Sequence, residues 1–242
     1  METITYRNSK IPIQILPKGT LLFRKVINPE DDVKGVLLES GKRCITPNYN
    51  VFFHPNPFMG ELALGGFIAE YGKSIYAYVL NHDVKILKLI NPSKYTRRDK
   101  NKGTFIKRCS TVKKGCLPRS GRSWDPCMSD TLIEKYPNVV GMIAISMGDN
   151  AQYKASKKVT KKMKRFLNPV SDNRKLTGIP EIILHPLRQR PSDDLVSDSN
   201  VNHDTNYKVI QEFDVSDKAG MISFMEQHAI YDPNTSLYSY KS

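Results

Sequence analysis

Three side chains, in a fixed order, have types that could share one chemistry. Arg24 closes the apolar run Gly19-Thr20-Leu21-Leu22-Phe23. Thr46 sits in the extended stretch Cys44-Ile45-Thr46-Pro47-Asn48-Tyr49. Glu181 precedes the apolar run Ile182-Ile183-Leu184. A guanidinium forks onto an anion. A fixed carboxylate can face positive charge that grows during a reaction. An arginine, a hydroxyl and a glutamate at the ends of three strands could form one polar site on a β scaffold.

The elements that must position them are read from alternation and turn residues. Residues 11–16 and 20–26 are predicted strands joined by the Pro17-Lys18-Gly19 turn. Asn28 to Asp32 is predicted as a polar loop, and Val36 to Glu39 as a short strand. Cys44 to Phe53 is extended, and His54-Pro55-Asn56-Pro57 cannot be helical, because proline excludes the helical region before it. Gly60 to Tyr71 is predicted as a short helix. Ser74 to Leu80 and Val84 to Ile90 alternate, and Asn81-His82-Asp83 is their predicted hairpin turn. Asp125 to Tyr136 is expected to be helical, and Val139 to Ile145 to be a core strand. Gln152 to Leu167 carries Val159, Met163, Phe166 and Leu167 at helical spacing, with lysines over much of the rest. Ile179 to Leu184 and Tyr207 to Phe213 are further strands, and Lys218 to Ala229 is a helix. The tail after Asp232 is polar and is expected to wrap over another surface or fray.

An apolar strand closed by arginine, an aromatic middle segment, a β-hairpin, then an apolar strand and Glu-Ile-Ile-Leu resembles the Arg…Ser/Thr…Glu order of ADP-ribosyltransferase-like folds. The resemblance spans residues 11–190. It implies an α+β fold: a mixed or antiparallel sheet resembling that scaffold, with basic insertions and a C-terminal extension. It also implies that Arg24, Thr46 and Glu181 are catalytic if the chain is an enzyme. NAD would then be the cofactor, held by Arg24, with Tyr49 and Tyr71 stacking on nicotinamide. The sequence departs from the family in two places. Only Thr46 stands where a Ser-Thr-Ser-like triplet is common, and Ile179 occupies the place of the first glutamate in the Glu-x-Glu pair of arginine-modifying members. Without the enzyme reading, no cofactor is expected.

Charge points elsewhere. The net charge is +13 and strongly segregated. Lys94 to Arg122 carries a net +10 and Lys154 to Lys175 a net +8, while Ser192 to the end carries a net −6. Arg97, Arg98, Lys100, Lys102, Lys107 and Arg108 in the first basic segment are candidates for contact with nucleic acid or an acidic partner, as are Lys157, Lys158, Lys161, Lys162 and Arg165 in the second. The ordinary alternative is a solvated face. Short phrases, Tyr49-Asn50-Val51-Phe52-Phe53 and Leu89-Ile90-Asn91-Pro92-Ser93-Lys94, with the lysine-rich insertions, resemble proteins encoded by large nucleocytoplasmic DNA viruses. That likeness implies a particle component, such as a minor capsid or virion protein, or a host-directed enzyme.

The four cysteines, Cys44, Cys109, Cys116 and Cys127, lack zinc-knuckle spacing. They are expected to be free thiols, and no metal site is expected. No apolar run approaches the length of a membrane span. Met1-Glu2-Thr3-Ile4 lacks a signal-peptide pattern, which predicts synthesis in the cytosol of a host cell, with possible incorporation into a particle. Residues 1–190 are expected to form one domain, with a basic insertion at about 92–123, and 191–242 an acidic linker and extension. The function expected is a structural or interaction protein that binds neighbouring subunits or nucleic acid. The alternatives are an NAD-dependent mono-ADP-ribosyltransferase and a non-specific nucleic-acid binder.

Overall fold

Side chains alternate across a strand, so a strand with apolar residues at every position must be covered on both faces. Several strands here have that pattern. The structure, a computed structural model, describes residues 2–6, 9–37, 41, 43–58, 72–89, 106–108, 126–146, 162, 166, 179–191, 204–235 and 237–241. The strands are β1 (Thr3–Tyr6), β2 (Ser9–Leu16), β3 (Leu21–Lys25), β4 (Val36–Leu37), β5 (Arg43–Cys44), β6 (Val51–Phe53), β7 (Ser74–Leu80), β8 (Val84–Leu89), β9 (Ile106–Arg108), β10 (Pro126–Met128), β11 (Val139–Ser146), β12 (Ile179–Leu184), β13 (Tyr207–Asp214), β14 (Ala229–Asp232) and β15 (Leu237–Tyr240). The helices are α1 (Glu30–Lys34), α2 (Asp130–Lys135) and α3 (Lys218–His228).

Two sheets dominate. One has the order β1-β2-β8-β11-β12-β6 and the other β13-β7-β3. Pairing within them is antiparallel except for β8 with β11. Their facing surfaces enclose an inner core that includes Leu16, Leu22, Phe53, Tyr78, Leu80, Ile86, Val140, Ile182, Leu184 and Tyr207. The outer face of the large sheet packs Ile11, Ile13, Leu87, Met142 and Ile183 against Leu132 and Ile133 of α2. The outer face of the small sheet packs Leu21, Phe23, Ile75, Ala77 and Phe213 against Met221, Phe224 and Met225 of α3. Each fully buried aliphatic or aromatic side chain contributes roughly 1.5–3 kcal/mol. Both helices start at side-chain caps. Ser129 accepts from the Leu132 amide at 3.3 Å, and Asp217 accepts from the Gly220 amide at 2.8 Å.

The chain crosses between sheets twice through tight corners. β2 leads to β3 through Gly19, whose φ of +84° suits a residue without a Cβ. β7 leads to β8 through Asn81-His82-Asp83. The two corners are bonded together, since Gly19 N donates to Leu80 O at 2.9 Å and Leu80 N to Thr20 O at 3.1 Å. On the opposite side the sheets meet at Phe23 and His54, which exchange backbone hydrogen bonds of 2.9 and 2.7 Å.

Five expectations change. Within the helix expected over 125–136, Pro126–Met128 is strand β10 and only Asp130–Lys135 is helical. Ser74–Leu80 and Val84–Leu89 are strands, but they pair in different sheets, so Asn81 to Asp83 is an inter-sheet corner and not a hairpin turn. Residues 30–34 form α1 inside the expected polar loop. Cys44 is disulfide-bonded and not a free thiol. The residues after 191 are no simple extension, because β13 pairs with β7 from Tyr207 to Asp214 and α3 covers the same sheet. At the coarser level the fold is α+β with mixed and antiparallel sheets, as the sequence predicts. Most of the expected insertion at 92–123 and helices at 60–71 and 152–167 lie outside the described residues. Among the described residues no helix is long and apolar enough to cross a membrane.

Gly141 sits where β11 bulges against β8, with its face pressed on β12. A Cβ there would lie 2.3 Å from the Ile183 carbonyl oxygen and 2.6 Å from the Leu184 side chain. Gly141→Ala is expected to cost about 3 kcal/mol, because backbone and not a flexible tip must yield. A thermal melt should show Tm lower by roughly 6–12 °C in a chain of this size.

Candidate functional site

Leu22 and Arg24 share the inner face of β3, while Phe23 points to the α3 side. Arg24 therefore turns toward the end of the sandwich, with 23% of its side chain left exposed. There it meets α1, which the chain places across that opening. Arg24 Nε donates to Asp32 Oδ2 at 2.8 Å, and its NH1 donates to the Phe52 carbonyl at 3.0 Å. Asp32 is 2% exposed. Tyr78 OH donates to the same carboxylate oxygen at 2.7 Å. Tyr207 OH donates to the Asp32 carbonyl, and Tyr49 OH to the Asp31 carbonyl. The rings of Phe53, Tyr78 and Tyr207 pack edge-on below, with centroids 4.8–5.8 Å apart.

The electrostatics follow from this crowding. Burial pushes the Asp32 carboxyl up, and the Arg24 charge opposes that. Burial is the largest effect and works against the Arg24 cation, but the Asp32 charge, Tyr78, Tyr49 and the Asp32 hydrogen bond together outweigh it and hold the guanidinium above its ordinary pKa. Burial first, and then the Asp32 charge, push the Tyr49, Tyr78 and Tyr207 phenols up, so all three stay protonated donors. His54 lies next to Phe23, and its Nδ1 is buried without a partner among the described residues. Burial, with the nearby Arg24 charge, lowers its pKa to about 4.

A second polar cluster pins the loop that carries Thr46. Arg190, 2% exposed, donates to four neutral acceptors: Val139 O at 3.2 Å, Pro47 O at 2.7 Å, Asn50 Oδ1 at 3.2 Å and Val140 O at 3.2 Å. Burial lowers its pKa to about 9, which leaves it charged at neutral pH. His185 accepts the Leu187 amide on Nδ1 at 3.1 Å, so its Nε2 carries the proton given to the Thr46 carbonyl at 3.0 Å. Burial, then the Arg190 charge, lowers the His185 pKa to about 3. Asn206 donates to His185 O at 2.8 Å and Leu187 O at 2.7 Å. Its Oδ1 lies 2.8 Å from His82 Nε2.

The three candidate residues do not line one cleft. Ile182 faces the inner core and Ile183 the α2 side, so by alternation half-buried Glu181 shares the outer face with Ile183. Arg24 faces inward, on the other side of the wall. Thr46 is held through its carbonyl by His185. Tyr49 is spent on α1, and Tyr71 lies outside the described residues. Arg97, Arg98, Lys100, Lys102, Lys157, Lys158, Lys161 and Arg165 also lie outside them. Lys107 and Arg108 are placed only as backbone of β9. Lys162 is helical and exposed, and Phe166 of the same stretch is buried against Phe58. Among the described residues no group of three metal-ligating side chains occurs.

Sequence reading missed Asp32, Tyr78, Tyr207, His185, Arg190 and Asn206. For Asp32 a signal existed: Pro29 followed by Glu30-Asp31-Asp32 has the acidic first turn of a helix start. No family model, curated protein or solved structure matches the chain. The likeness to ADP-ribosyltransferase-like folds therefore rests on residue order alone.

What this arrangement does chemically is hold α1 and residues 46–50 against the sandwich. Asp32→Ala strands the Arg24 guanidinium and should cost about 3 kcal/mol, against about 1 kcal/mol for Tyr78→Phe. Urea denaturation of both variants measures this. Acid should destabilise the fold as well. His54 and His185 have folded pKa values near 4 and 3. The unfolded chain takes up their protons near pH 6.5, so it binds more protons between that pH and 4. Stability then falls as pH falls through this window, by up to about 2.7 kcal/mol per pH unit for two protons. Asp32, raised in the fold, acts with the opposite sign close to pH 4. Unfolding followed from pH 7 to 4.5 tests the sign.

Proposed function

We propose that this chain is a structural or interaction protein that docks neighbouring protein subunits through its basic segments, as a component of a larger viral assembly. The observation that carries the reading is the segregation of charge: a net +10 over Lys94 to Arg122 and +8 over Lys154 to Lys175, against −6 from Ser192 onward. One copy's basic segment can meet an acidic face on another subunit, which sets specificity and on-rate more than affinity. The resemblance to proteins of large DNA viruses points the same way. The inward engagement of Arg24 and the separate face of Glu181 give the enzyme reading no support.

The test is affinity capture from the natural source with the wild-type chain beside Arg97→Glu/Arg98→Glu/Lys100→Glu/Lys102→Glu. A stoichiometric protein partner held at low salt, and lost in the charge-reversed variant, is the expected result. A monomer with no protein partner overturns the reading. In that case fluorescence anisotropy with duplex DNA at 50 and 200 mM salt decides for nucleic acid, if binding falls by about 10³-fold or more between them.

A further inference from the structure

A sheet edge carries unpaired N–H and C=O groups that can pair with another strand, so proteins guard their edges. The two main sheets here guard most of theirs. β6 runs into His54, whose backbone is bonded to Phe23 of β3. The start of β3 is covered by β15, through the Thr20–Ser239 bridge and the Tyr240 amide on Gly19 O at 2.7 Å. β13 is blunted by its own residues. It bulges between Val209 and Gln211, and Gln211 Nε2 occupies the Glu212 carbonyl at 2.9 Å. The Asp214 carbonyl accepts the Asp217 amide at 2.9 Å, and Lys208, Glu212 and Asp214 stand exposed along the strand.

β1 has none of these devices. Thr3–Tyr6 pairs with β2 in unbroken register and holds no charge and no proline. Ile13 N donates to Glu2 O at 2.8 Å, which fixes the parity of the ladder. Ile4 then bonds to β2, while the N–H and C=O groups of Thr3 and Thr5 point away from it. Thr3 accordingly stands opposite Pro12, where the ladder needs no N–H. Both threonines are exposed, and among the described residues their outward groups meet no protein partner.

The strand that fits this edge is β1 itself. Thr3 and Thr5 flank Ile4 symmetrically. A two-fold axis at Ile4 sets Thr3 of one copy opposite Thr5 of the second, and every outward N–H and C=O group is then satisfied. Ile4 faces Ile4 of the second copy in a non-hydrogen-bonded pair, where Cα atoms are about 4.5 Å apart and side chains are closest. Ile4 is in register with Ile11, and both belong to the core under α2, so this apolar row continues into its own copy across the seam. On the other face the threonines form cross-strand pairs. No like charges are opposed: Glu2 falls opposite Tyr6 and keeps Lys85 at 2.9 Å.

We propose that β1 is a self-association edge: two copies pair their β1 strands antiparallel about Ile4 and join their large sheets into one. The contact uses 4 residues of strand per copy, far below the roughly 1,600 Å² of a standard interface. It is therefore weak and reversible, and it counts where copies are already held close together. It is independent of docking through the basic segments. No charged pair forms across the seam, so the contact survives salt that screens exposed charges.

The test uses the full chain in about 0.5 M salt, where the basic segments are screened. Sedimentation velocity from about 10 to about 500 µM should show a reversible shift from monomer to dimer. Over the same range the Thr3 and Thr5 amides should slow in hydrogen exchange by about twofold or more, while the Glu212 amide on the β13 edge does not change. Thr5→Pro removes an outward N–H and no bond within the chain, so it should weaken the dimer at least about tenfold with an unchanged melt. Where proline perturbs β1, Thr3→Lys/Thr5→Lys carries the comparison. Both positions are exposed, and the pair sets lysine against lysine across the seam, with the same loss expected. A wild type that stays monomeric, a dimer that persists in both variants, or a dimer without slowed Thr3 and Thr5 amides overturns the proposal.

Discussion

The Arg24–Asp32 pair closes the sandwich, and much of the local structure is arranged to make its burial tolerable. Two opposite charges taken out of water gain little unless their remaining hydrogen-bonding positions are filled. Here the carboxylate also receives Tyr78 OH, and the guanidinium also reaches the Phe52 carbonyl. Tyr49 and Tyr207 then satisfy carbonyls of the short helix. Five residues cannot make a stable helix alone. α1 exists because its acidic face has a cation waiting at the end of β3. Sequence decides the local polarity, tertiary contact decides that a helix forms, and the closed end of the core follows.

The Arg190 cluster solves a similar problem differently. No carboxylate contributes to its perturbed pKa, and its partners are three carbonyls and an amide oxygen. A buried cation held by neutral dipoles costs more than a paired one but imposes many directions at once. Four acceptors on two segments, residues 47–50 and 139–140, fix the start of β11 against the loop before β6. His185 and Asn206 extend the lock to β12 and to the entry of β13. The clusters thus grip opposite ends of the 24–54 region, one through α1 and one through Pro47 and Asn50.

Much of the strand content was legible in sequence, and its arrangement was not. Val139–Ser146 and Ile179–Leu184 stand out because continuous apolar runs demand cover on both faces. Pairing is another matter: Leu80 and Val84 are close enough for a hairpin, but β7 pairs with β3 and β13 while β8 pairs with β2 and β11. β13 was read correctly as a strand but assigned to an appendage, because Glu212 and Asp214 face water and colour the composition while Tyr207 and Phe213 carry the packing. Arg190 borders a Ser- and Asp-rich stretch that reads as solvent-exposed linker, so its burial has no local signal. Arg24 was picked out for its type and place, and the partner that claims it lies eight residues on in a segment too short to show helical period.

These points bear jointly on what the fold can do. Three apolar layers, between the sheets and under each helix, consume the strand faces. Buried Arg190 and partly exposed Arg24 both direct hydrogen bonds onto the protein's own oxygens. The chain's remaining positive charge is concentrated in Lys94 to Arg122 and Lys154 to Lys175. The polar interior holds the scaffold in one geometry.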